Sequence, residues 1–247
     1  MKKVFLYFSV LLISSCSRPL SISQIKYKEI RINDSTSLAD KHIEELIRPY
    51  RDSMQAEMNE VLVINDTVLT KQMPESDLGN LLAEILLDKA QKYSGKKVDA
   101  ALINFGGIRL TQLAKGNVTR EKAFELMPFD NKIVLLELDG KTTQLLFDRM
   151  AGAGGTPVAG ARYWIHHGKA EHITIQGEVL DANKNYTIAL SDYLANGGEK
   201  LDMLKDKKQT KTDVLLREAF IEGFKDIAAQ GKHLKRIKDG RVKEIME

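Results

Sequence analysis

The 247-residue sequence contains one cysteine, one tryptophan, five prolines and five histidines, and only 6% of it is aromatic. With Cys16 as the sole cysteine, an intrachain disulfide framework and a cysteine-based metal site are both excluded. Charge of one sign is also lacking, because 37 Lys and Arg against 34 Asp and Glu give a formal net charge of +3. No basic stripe interleaved with aromatics is present, so nucleic acid is not an expected partner. There is no internal repeat, no low-complexity segment, and no apolar run long enough for a permanent membrane helix. What remains is ordinary globular composition, 43% hydrophobic and 29% charged, enough for one core of typical domain size.

The first residues carry a different signal. Met1-Lys2-Lys3 is a short basic region, and Val4 to Ile13 is an apolar run of signal-peptide length. Ser14-Ser15 directly before Cys16 resembles a bacterial lipobox, which implies cleavage before Cys16 and lipidation of its thiol. Removing Lys2 and Lys3 lowers the net charge to +1. The expected organisation is a leader over 1–15, a lipidated cysteine and tether over 16–36, a helical linker over 37–62 and a domain over 63–247. The expected location is the bacterial cell envelope, lipid-anchored and facing the periplasm, with the lipid as the only membrane contact.

Periodicity supplies the elements. Ile43, Leu46, Ile47, Tyr50, Met54, Met58 and Val61 recur at helical spacing from Ser37 onward, with Pro49 expected to kink or split the helix. Ser76-Asp77 opens a helix that Gly95 ends. Val98 to Ile103 and Ile133 to Leu138 read as strands buried on both faces. A short helix lies near Arg120 to Leu126, and another follows Asp139-Gly140. Residues 151–161 read as a small-residue loop, and 162–180 as antiparallel strands turning at Gly168 and Gly177. Tyr186 to Leu190 is a further strand, and a helix over 212–230 closes a single α+β domain with a mixed sheet.

Three segments at strand boundaries combine chemistry-bearing residues. Asn104-Phe105-Gly106-Gly107-Ile108-Arg109 joins a bare backbone, open to close approach, to a planar donor fork suited to phosphate or carboxylate. On its own it also reads as a turn with a solvated arginine. Pro128-Phe129-Asp130-Asn131 offers an aromatic for stacking and an amide for hydrogen bonding, or a core phenylalanine behind a turn. Asp192 to Glu199 again combines an aromatic, an amide, a glycine pair and a carboxylate.

Together these segments resemble the C-terminal, substrate-recognition domain of 5'-nucleotidases and related periplasmic nucleotide phosphohydrolases. The matching stretches are "ESDLGNLLAEIL", "NFGGIR", "PFDN", "YTIALSDYLANGGEKLDML" and "TDVLLREAFIEGF", and the resemblance covers roughly Ser37 to Arg236. The resemblance implies that Phe129 and Tyr193 sandwich a nucleobase and that Asn131 contacts the nucleoside. It implies that Arg109, with Asn104, Gly106 and Gly107 in its loop, binds the nucleotide. It also implies that Glu199, beside Gly197 and Gly198, meets the ribose hydroxyls. Base stacking of this kind contributes about 1–3 kcal/mol per base.

The departures bear on function. Pro74 stands where the family often has an arginine, Tyr193 where phenylalanine is usual, and Glu199-Lys200-Leu201 where Asp-Gly-aromatic is usual. Lys71 is a candidate substitute for the arginine. The family's hydrolysis belongs to a separate N-terminal metallophosphatase domain with Asp, His and Asn ligands for two metals. His42 follows Asp40-Lys41 inside a helical pattern with no partner motif. His166 and His167, adjacent on a strand, are expected to point to opposite faces. No metal or other cofactor is therefore expected in this chain, and divalent metals are expected only on a partner. The expected function is the nucleotide-recognition half of a split 5'-nucleotidase, its metallophosphatase supplied by another chain. Alternatives are a stand-alone nucleoside-binding envelope lipoprotein or a degenerate scaffold domain.

Overall fold

The computed structural model describes residues 24–29 and 40–245. The expected leader and Cys16 lie outside the described residues, as does most of the expected tether. By its internal contacts the chain divides into two compact units, Met1–Pro49 and Tyr50–Glu247.

Helix α1 (Lys41–Met58) crosses that division and runs through Pro49 without being split, contrary to one of the two outcomes expected of the proline. Val61, read as the last apolar position of this helix, instead opens a strand. The second unit continues with β1 (Val61–Asn65), β2 (Leu69–Thr70), α2 (Asp77–Ser94), β3 (Ala100–Leu102), β4 (Gln112–Leu113), β5 (Gly116–Thr119), α3 (Arg120–Leu126) and β6 (Lys132–Asp139). After these come α4 (Gly140–Gly152), β7 (Val158–Ala159), β8 (Ala161–His166), β9 (Lys169–Ile175), β10 (Glu178–Val179) and β11 (Asn185–Ser191). A one-turn α5 (Asp192–Ala195), β12 (Gln209–Leu215), α6 (Leu216–Ala229) and β13 (Val242–Glu244) complete it.

The helix boundaries follow from local chemistry. Ser76 caps α2 by accepting from the Gly79 amide, and Gly95, in the left-handed region at φ 64, ends it. Asp139 caps α4 through the Thr142 amide, and Ser191 caps α5 through that of Leu194.

A five-stranded mixed sheet in the order β12-β6-β11-β3-β7 forms the centre. Its strands alternate between two apolar layers. Ala101, Ile133, Leu135 and Ala189 join the layer containing α2 and α6, with Leu82, Leu86, Phe220 and Phe224. Ala100, Leu102, Val134, Leu136, Ile188 and Leu190 join the opposite layer, with Phe147 and Met150 of α4 and Tyr163 of β8. Both faces are covered, which is why these strands read as continuous apolar runs. That second layer is closed by a four-stranded sheet, β10-β9-β8-β13. The mixed α/β architecture expected from the sequence is therefore the one observed.

Two expectations need correcting. The expected helix over 212–230 begins only at Leu216, because residues 209–215 pair with β6 as an edge strand, with an irregularity where Asp213 adopts φ 59. Thr212 and Val214 are β-branched and suit that strand. His166 and His167 do not diverge. His166 ends β8, His167 turns at φ 48, and their rings lie 4.2 Å apart by centroid.

Candidate functional site

Topology places the three motif loops at one end of the central sheet. Strand β3 runs parallel to β11, with Ala100 opposite Ile188, so the segments after both strands leave at the same end. Strand β6 is antiparallel to β11, with Ile133 opposite Ser191, so the segment preceding β6 arrives there too. Asn104 to Arg109, Phe129 to Asn131 and Tyr193 to Glu199 are thereby brought together from distant parts of the chain.

Specific bonds join these loops. The Asn104 Nδ2 donates to Glu199 Oε1 at 3.3 Å, linking the first loop to the third. The Arg109 amide donates to the Leu126 carbonyl at 3.0 Å, linking the first to the second. The Asp192 Oδ1 accepts from the amides of Lys132 at 3.1 Å and Tyr193 at 2.8 Å, linking the second to the third. Arg217 of α6 holds the second loop from below. Its guanidinium donates to the Phe129 carbonyl at 3.3 Å and to Asp130 Oδ1 at 2.8 Å, and lies 4.2 Å from the Phe124 ring.

The two aromatics remain available. Phe129 is 39% and Tyr193 46% exposed, and among the described residues neither ring contacts another ring. Arg109 stands 6.0 Å from the Phe129 ring centroid. The Asn131 side chain makes no hydrogen bond among the described residues, and its carbonyl accepts from the Leu216 amide at 2.8 Å.

The glycines allow close approach. A Cβ on Gly198 would lie 2.5 Å from the Tyr193 ring, so this glycine seats the tyrosine. A Cβ on Gly107 would lie 2.7 Å from Asn104 Oδ1. Gly106 faces Glu199 Oε1, and Gly197 turns at φ 92 against Lys205. Glu199 and Lys200 follow at φ 56 and 63, a left-handed pair of non-glycine residues. Such a conformation persists only where the surroundings enforce it. Here the Arg149 Nε donates to the Glu199 carbonyl at 3.1 Å.

Beside the Asn104–Glu199 bond opens a mainly apolar cleft of about 250 Å³, walled by Met73, Leu102, Phe105, Met150 and Leu201, with Arg149 at its edge. Of the residues singled out in the sequence, Asn104, Gly106 and Glu199 line it. Phe129, Tyr193, Arg109 and Asn131 do not, and are gathered instead by the loop-to-loop bonds above.

Lys71 extends β2 toward the first loop. Its Nζ donates to the Ile108 carbonyl at 2.7 Å and stands 4.1 Å from the Phe105 ring. Burial, and after it the charge of Arg109, hold its pKa below the ordinary 10.5.

Several supporting residues were not legible in advance. Arg149 and Arg217 have no motif, although an arginine within the apolar pattern of "VLLREAFIEGF" is a signal for Arg217; Asp192 opens the third segment, but its bond to the Lys132 amide was not foreseen. Glu75 of "ESDLGN" also turns away from the site. It is buried and accepts from the amides of Asp239, Gly240 and Arg241, anchoring the chain before β13. Among the described residues no group of three His, Cys, Asp or Glu is arranged to hold a metal ion.

The fold and loops define a mixed α/β domain with two exposed aromatics, two cations and a carboxylate in the loops at one sheet end. The chain belongs to the family described as 5'-nucleotidase, C-terminal domain, whose model matches residues 56–206. It is 25% identical over 234 residues to the trifunctional nucleotide phosphoesterase protein YfkN of Bacillus subtilis, covering 83% of this chain and 16% of that protein. It is 23% identical over 214 residues to the 5'-nucleotidase of Mus musculus, covering 74% and 36%. The crystal structure of a 5'-nucleotidase precursor from Thermus thermophilus superposes with a TM-score of 0.70 at 25% identity, over 86% of this chain and 45% of that one. The chain thus spans less than half the length of each of these proteins.

Proposed function

We propose that this chain recognises nucleosides and nucleotides, with Phe129 and Tyr193 stacking on the base, Asn131 at its edge, Glu199 toward the ribose and Arg109 toward the phosphate. The observation that carries this role is the convergence, at one sheet end, of two exposed rings that stack on no other ring among the described residues. Asn104, Gly106, Gly107, Gly197 and Gly198 shape the loops that present those groups. Ring stacking accepts many bases, while the carboxylate and the cations select for sugar and phosphate.

In the same proposal, recognition serves nucleotide phosphate-ester hydrolysis, with a metallophosphatase domain carried by another chain and divalent metals held there. Cys16 is the proposed lipid anchor, tethering the domain to a bacterial envelope on its periplasmic side. Two experiments test these two layers. Calorimetric titration of the full chain with adenosine tests recognition, with micromolar binding expected in the wild type and lost in Phe129→Ala. Affinity capture of the lipidated chain, followed by assay of AMP hydrolysis with added divalent metal, tests the partnership. Recovery of metal-dependent hydrolysis that disappears after chelation is expected. A phosphatase fully active alone and never captured would refute the split arrangement.

A further inference from the structure

Glu199 and Lys200 adopt φ 56 and 63, backbone that two consecutive residues with side chains hold only under constraint. Their neighbours fix where the turn starts and stops. The Leu201 amide donates to the Gly198 carbonyl at 3.1 Å, and the Leu201 side chain is buried. Between those two points, donors outside the turn reach Glu199 twice. The Asn104 Nδ2 donates to its carboxylate at 3.3 Å, and the Arg149 Nε donates to its carbonyl at 3.1 Å. The first bond is long for an N–H donor and joins two loops, so it holds the carboxylate only where the backbone beneath is already in place. The second bond comes from a helix.

That helix is fixed where Arg149 leaves it. Phe147 and Met150, on either side, are buried in the apolar layer that α4 shares with β8. Asp148 Oδ1 accepts from the Ala170 amide of β9 at 3.0 Å, which pins the same turn of α4 to the neighbouring sheet. Arg149 has no carboxylate within ion-pair distance among the described residues, so no competing anion draws it from the Glu199 carbonyl. Arg149, Asn104 and Glu199 line one cleft whose other walls are mainly apolar, and those walls offer the turn little else to bond with.

We propose that Arg149 is a positioning residue. By holding the Glu199 carbonyl it keeps the turn left-handed and the carboxylate at Asn104, and so sets the preference of the site for ribose over a sugar without 2' and 3' hydroxyls. This role rests on the ribose contact proposed for Glu199.

The test titrates the full chain with adenosine and 2',3'-dideoxyadenosine, as wild type, Arg149→Met, Arg149→Lys, Glu199→Gln and the double variant of Arg149→Met with Glu199→Gln. Arg149→Met keeps an apolar stem along the cleft and removes the donors. The wild type is expected to bind adenosine roughly tenfold more tightly than the dideoxynucleoside, the size of a hydrogen bond to a charged group. Arg149→Met should bring adenosine affinity close to that of the dideoxynucleoside and leave the latter unchanged. Arg149→Lys, which keeps a donor, should retain most of the preference. In the Glu199→Gln background, Arg149→Met should cost nothing further, because both act through one carboxylate.

A preference that survives Arg149→Met overturns the proposal, and so does an equal fall for both ligands, which would make Arg149 a general support of the loop. Additive losses in the double variant also overturn it. A wild type that binds both ligands equally refutes the ribose contact of Glu199 itself, and one that binds neither refutes the stacking role. In either case the positioning role falls with it.

Discussion

The Asn104 side-chain amide donates to the Glu199 carboxylate at 3.3 Å, joining residues 95 positions apart across the end of the central sheet. The bond fixes one carboxylate oxygen against the loop that carries Arg109 and leaves acceptor capacity on the other. Glu199→Gln keeps an acceptor for Asn104 but removes the charge proposed for the ribose hydroxyls. Adenosine affinity should fall by about tenfold, the scale of a hydrogen bond to a charged group. Affinity for 2',3'-dideoxyadenosine should stay the same, and paired titrations check the difference.

Gly198 is tied to Tyr193 by space. The Cβ introduced by Gly198→Ala would meet the ring at 2.5 Å, so the tyrosine must leave its seat. Adenosine affinity should drop toward that of Tyr193→Ala, a loss of up to about 1–3 kcal/mol. Titration of both variants checks this, and their losses should not add, because both remove one stacking face.

Glu75 makes a stability prediction. Glu75→Gln removes the charge from an acceptor that receives the amides of Gly240 and Arg241 and the Asn80 side chain. The cost should be about 1.5–3 kcal/mol in chemical denaturation. Hydrogen exchange should quicken first over residues 239–245, where β13 is held to β8.

Asp139 predicts a pH dependence. The amide and then the hydroxyl of Thr142 hold its carboxyl at about 2, below the ordinary 3.8. A folded pKa lowered in this way stabilises fully above 3.8 and loses its contribution as pH falls through about 2. Carboxyl-detected NMR should give the low value directly. Asp139→Asn should lower Tm near neutral pH and flatten the acid limb of Tm against pH.

Much of this arrangement was legible in the sequence because buried strands and capped helices announce themselves locally. The apolar runs at 98–103 and 133–138 and the Ser76 and Gly95 caps needed only neighbouring residues. The 212–215 segment misled because Leu215 continues the helical period of α6, whereas pairing with β6 decides its conformation. His166 and His167 misled for a similar reason: alternation holds only while the strand continues, and here it ends between them. Among site residues, the glycine-rich loops and exposed aromatics were visible as motifs. The roles of Asp192, Arg217 and Arg149 were not, since each acts on a backbone group far away in sequence and its partners exist only in the folded chain.

The central claim is that a nucleobase fits between Phe129 and Tyr193, and a crystal structure of the full chain grown with adenosine tests it most directly. The account predicts the purine stacked on both rings, Asn131 at its edge and the ribose hydroxyls on Glu199. Adenosine bound elsewhere, or both rings left bare at millimolar ligand, would contradict it.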